Sequence, residues 1–98
     1  MSEEYAIRVI IDRVDYSRSG AKVGDFFDIV GSRLMMPPGA SFNVYAMNAV
    51  FPVVALRARE LPDDDWLSRK PWISSPDPHE NIVMRLDRIP LSQLDYLK

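Results

Sequence analysis

The chain has 98 residues, of which 47% are apolar and 27% charged, and 14 acidic against 12 basic side chains give a net charge of −2. That is the size and balance of one globular domain, which excludes a second core and a disordered chain. The lack of cysteine excludes disulfides, thiolate zinc sites, iron–sulfur clusters and cysteine nucleophiles, and nothing else in the sequence calls for a cofactor.

Residues 5–14 alternate: Tyr5, Ile7, Val9 and Ile11 share one face, and Arg8, Ile10 and Asp12 share the other. This pattern predicts a half-buried strand. Residues 15–20 are polar, end in glycine and read as a loop. Val23-Gly24-Asp25 forms a turn into a second predicted strand, residues 26–30, which Gly31-Ser32 closes. Arg33-Leu34-Met35-Met36 then leads into the rigid Pro37-Pro38-Gly39 turn.

One helix is predicted from Phe42 towards Glu60, with Ser41 as its N-cap. Phe42, Tyr45, Ala46, Ala49, Val53 and Leu56 follow helical spacing and form the expected buried stripe. Pro52 lacks an N–H and crowds the carbonyl of Asn48, so a kink or a split is expected there. Arg57 and Arg59 suit the negative end of the helix dipole.

After an acidic turn at Asp63-Asp64-Asp65, residues 66–73 hold both tryptophans and suggest a short strand. A proline-punctuated loop ending at His79 follows. Residues 81–89 predict the last strand, with Ile82, Met84 and Leu86 on one face. Its ending, Asp87-Arg88-Ile89, echoes Asp12-Arg13-Val14, which fits two strands lying side by side. The tail, residues 90–98, carries leucines at three-residue spacing and suggests a short amphipathic turn of helix. The resulting order, β-β-α-β-β, predicts an α+β domain over residues 1–89. A small antiparallel sheet packs on one proline-kinked helix, and the tail extends from it.

Basic residues are scattered along the chain with no stripe suited to nucleic acid. The first residues lack the charge and apolar core of a signal peptide, and no apolar run approaches the roughly 18 residues of a membrane span. No nucleic-acid or membrane partner is therefore expected, and the cytoplasm is the expected location.

Candidates for chemistry are few. His79, the single histidine, lies between Asp77 and Glu80 and has the character of a general base; a solvated loop is the simpler reading. Asp63, Asp64 and Asp65 are consecutive, point in different directions and lack the alternation and glycine of a calcium loop, so no metal is expected there. Arg8, Asp12, Arg85 and Asp87 suggest either a grip on a carboxylate or cross-strand ion pairs on a wet sheet face. His79, Asp87 and Arg85 are the catalytic candidates. Trp66, Trp72 and Tyr45 are candidates to line a ligand pocket between helix and sheet, or else to close the core. Met35 and Met36 beside the proline turn, with Leu91, Leu94 and Leu97 in the tail, are candidates for a partner surface.

Several features recur together: Val23-Gly24-Asp25-Phe26, a proline turn, Ala46-x-x-Ala49-x-x-Pro52-x-x-x-Leu56-Arg57, Pro76-Asp77-Pro78, and Val83-x-Arg85-x-Asp87-Arg88-Ile89. This string resembles a family of small, uncharacterised bacterial and archaeal proteins of similar length. The resemblance runs from Tyr5 to Ile89 and consists of turns, core positions and a helix proline, so it speaks to fold. Many members carry cysteines after the first strand and before the last. This chain has Ser74 and Ser75 near the second position and cysteine at neither, so a thiol or metal role does not transfer.

No phosphate loop, nucleophile elbow or zinc-protease motif occurs in the chain. The first expectation is therefore a non-catalytic accessory subunit or interaction module of a larger cytoplasmic enzyme. The alternatives are a small enzyme acting on a hydrophobic or aromatic acid, and a self-associating protein that binds a small ligand.

Overall fold

In the computed structural model, residues 5–17, 20–57, 72–76 and 78–94 are described. Alternation makes Tyr5–Arg13 (β1) a two-faced strand. Ile7, Val9 and Ile11 turn to one side and are buried, while Arg8, Ile10 and Asp12 turn to the other. The chain returns antiparallel as Phe26–Val30 (β2), with Phe27 opposite Val9 and Asp28 opposite Arg8.

Arg33–Met35 (β3), which the sequence suggests only as an approach to the proline turn, is a third strand. It pairs with β2, placing Met35 opposite Asp28. Gly31, at φ 62°, supplies the left-handed residue of the intervening turn. Three residues are too few to display a period, which is why this strand leaves no mark in the sequence.

Val44–Arg57 (α1) follows, then Trp72–Ser74 (β4), Val83–Pro90 (β5) and a 3-10 turn at Leu91–Gln93. All strand pairs are antiparallel, and the sheet order is β3-β2-β1-β5-β4. The strands with like endings are indeed neighbours: Val9 faces Leu86 and Ile11 faces Met84, with a register shift between Ile11 and Arg13. The architecture is α+β: among the described residues, one five-stranded antiparallel sheet with one helix against it. No helix among the described residues is long and apolar enough to cross a membrane.

The core lies between α1 and the sheet. It joins Ile7, Val9 and Ile11 of β1 to Phe27, Met84 and Leu86 of their neighbours, with Ile82 from the loop before β5 and Ala46 and Val50 from the helix. Phe27 meets the Phe42 ring edge-on, at 4.8 Å between centroids. The helix differs from its sequence reading in three respects. Its cap is Asn43, whose Oδ1 accepts the N–H groups of Tyr45 at 3.0 Å and Ala46 at 2.9 Å, so it begins two residues after the expected start. Among the described residues its fully buried positions are Ala46 and Val50, with Phe42, Ala49 and Val53 packed against the core as predicted, whereas Tyr45 points outward. Finally, of the kink or split expected at Pro52 the split does not occur, because the helix runs through Pro52 undivided. Pro52 and Asn48 are both exposed, so water can satisfy the carbonyl that the proline leaves without a donor.

The described part of the predicted tail, residues 90–94, joins the domain. Pro90 ends β5, and Leu94 is buried after the 3-10 turn, where its N–H donates to the carbonyl of Leu91 at 3.1 Å.

Candidate functional site

In antiparallel pairs, directly opposed residues share a face. The sheet face away from α1 therefore carries Arg8 and Asp12 of β1, Asp28 of β2, Met35 of β3, Arg85 and Asp87 of β5 and Trp72 of β4. Its carboxylates fall into two groups, and Arg33 of β3, exposed on the same face, belongs to neither. Arg8 grips Asp28 with both prongs, Nε to Oδ1 at 2.9 Å and Nη2 to Oδ2 at 3.1 Å, and its guanidinium lies 4.2 Å above the Phe26 ring. Asp28 itself is 0% exposed, a burial that such a fork makes tolerable.

Arg85 forms the second group. Its Nε donates to both oxygens of Asp87 at 2.9 and 3.0 Å, and its Nη1 donates to Asp12 Oδ1 at 3.0 Å. The Trp72 indole N–H donates to the other Asp12 oxygen, also at 3.0 Å. The four residues proposed from the sequence as one patch thus divide: Arg8 turns to β2, and Arg85 joins Asp87 and Asp12. Each carboxylate is answered by a guanidinium, and the arrangement is that of cross-strand ion pairs rather than a bare anion anchor.

His79 sits apart, exposed in the loop ahead of β5, with its ring edge-on to Tyr16 at 5.2 Å. Nearby, the Glu80 carbonyl accepts the N–H groups of Asp15 and Tyr16. Asp15 is also clasped by Arg13, at 2.9 and 3.3 Å, and by the Asn81 amide at 2.8 Å. These hydrogen bonds, Arg13's foremost, hold the Asp15 carboxyl below its usual range and raise the Arg13 guanidinium. The loop is fastened to the end of β1 by these contacts. Among the described residues, no group of three histidine or carboxylate side chains is placed to hold a metal ion.

The aromatic candidates do not converge. Trp72 shares the sheet face of Arg85, whereas Tyr45 lies on α1, beyond the opposite face, so one pocket cannot be lined by both. Of the partner candidates, Met36 is exposed, Met35 and Leu91 are half-buried, and Leu94 is consumed in its own domain. Asp63 to Asp65, Trp66, Asp77 and Leu97 lie outside the described residues.

Two further features bear on function. The first is the outer side of α1. Val44 is 64% exposed, Tyr45 70% and Phe51 43%, with Asn48 and Pro52 exposed among them. Residues 44–56 contain no charged side chain, so the helix is apolar on its outer side as well as its inner one. The second is a cleft where the turn at 20–25 meets the turn at 37–43. Two adjoining hollows of about 240 and 190 Å³ share Gly20, Asp25 and Ser41 in their walls.

Comparison of the chain with protein families, with curated proteins and with solved structures finds no match.

Proposed function

We propose that the chain is a non-catalytic interaction module, an accessory subunit of a larger cytoplasmic enzyme, and that it docks through the outer side of α1. The observation that carries this reading is the uncharged helix with Val44, Tyr45 and Phe51 facing outward. A helix apolar all round belongs to a buried environment, and aromatic side chains in a patch of low charge characterise the centre of interfaces. The matching partner surface is an uncharged apolar groove of the kind that accepts one helix face. The Arg85 network supports the same conclusion from the other side, because Arg85 is already matched to Asp12 and Asp87 and is not held bare for an acid substrate.

The test is native mass spectrometry of the full chain purified gently from its own cells, in wild-type form and as Tyr45→Glu. A stoichiometric larger protein with the wild type, and affinity for it about thirtyfold weaker in the variant, is the expected pair of results, since a hot-spot residue contributes about 2 kcal/mol. A lone chain, a homo-oligomer or an equally tight variant complex overturns the proposal.

A further inference from the structure

The cleft between the 20–25 and 37–43 turns combines opposite charges in a small space. Its larger hollow, of about 240 Å³, is walled by Lys22, Asp25 and Ser41, with Phe26 and Pro37 adding apolar surface. That volume lies below the roughly 300 Å³ at which sites for drug-sized molecules begin. Asp25 is held in place: its Oδ2 accepts the Lys22 backbone N–H at 3.1 Å and its side chain is 19% exposed. The Lys22 side chain, by contrast, is 80% exposed, and its ammonium stands 4.0 Å from Asp25 Oδ1, beyond hydrogen-bond distance. One wall is therefore a fixed carboxylate, and the other is a cation with its donors unspent on that carboxylate. The start of α1 plays no part, because Asn43 already occupies the N–H groups of Tyr45 and Ala46.

We propose that this cleft binds a compact zwitterion of α-amino-acid type. The ligand's carboxylate meets the Lys22 ammonium and the Ser41 hydroxyl, its ammonium meets Asp25, and its short side chain lies on Phe26 and Pro37. A simple anion is disfavoured by Asp25, and a simple cation by Lys22. A zwitterion replaces one loose ion pair with two charge-assisted hydrogen-bonded ones. This site is separate from the outer side of α1, so either proposal can fail alone.

The experiment is a titration of the full-length, ¹⁵N-labelled chain with L-alanine, L-alaninamide and N-acetyl-L-alanine, followed at the backbone amides of Gly20, Gly24 and Gly39. Saturable shifts with L-alanine are expected, and each blocked form should bind at least about tenfold more weakly, the loss that follows from one charge-assisted hydrogen bond. Lys22→Met, which leaves the backbone contact to Asp25 in place, should weaken L-alanine by a similar factor while the rest of the spectrum is preserved. Absence of saturable shifts, equal binding of the blocked forms, or unchanged affinity in Lys22→Met overturns the proposal.

Discussion

β1 and α1 are both rich in apolar residues, yet they manage their outward sides in opposite ways. On β1, apolar and charged positions alternate, and the charged side is tied down: Arg8 to Asp28, Asp12 to Arg85 and Trp72. On α1, the outward side has neither charge nor partner among the described contacts of Val44 and Tyr45, and it ends at Phe51, whose ring reaches only the rim of the core at 6.3 Å from Phe27. A strand finished on both faces is a structural element. Among the described residues, the helix is covered on one face only.

This contrast is sharpest where it can be broken by substitution. Ile7, almost wholly buried on the inner side of β1, should cost about 2–5 kcal/mol when changed to alanine, read as a lower midpoint of urea unfolding with the slope unchanged. A cost under 1 kcal/mol would mean that β1 does not anchor the core. Arg8→Ala removes the fork from a carboxylate with no exposure, and a loss of about 1–3 kcal/mol is expected by the same measurement. Arg8 is partly exposed, so the full penalty of a dry ion pair does not apply. If Arg8→Ala is neutral, the outward side of β1 is no more committed than that of α1. Smallest of all, Tyr45→Ala should change stability by no more than about 0.5 kcal/mol, as at exposed sites generally. A loss comparable to that of Ile7→Ala would place Tyr45 in the core after all.

The same difference explains what could be read from the chain. β1, β2 and β5 announce themselves because a period of two separates Val9 from Arg8, and Met84 and Leu86 from Arg85 and Asp87. In α1 nearly every position is apolar, so spacing alone cannot set the phase of the helix. Tyr45 reads as buried and is exposed, while Val50 is buried and falls outside the predicted stripe. Asn43 and Ser41 are equally good caps two residues apart, and the choice falls to packing. Ion pairs were legible as a group, but the partner of Arg8 depends on β2 lying on the far side of β1 from β5. The cleft had no local signature at all, since Lys22 and Ser41 come from turns that meet only in the folded chain.

The order of the sheet has one more consequence. β1 is made first and sits in the middle, yet the neighbour that completes it, β5, is the last strand to be synthesised. Arg8 lies opposite Asp87 and Tyr5 opposite Pro90, so one flank of the central strand waits until β5 has been made. Until that moment a nascent polypeptide presents a row of unsatisfied amides and carbonyls along a strand with an apolar face, which is the setting in which strands pair with the wrong chain. Interrupting translation shortly before Val83 would not trim this protein at its margin; it would leave a gap beside the sheet's central strand.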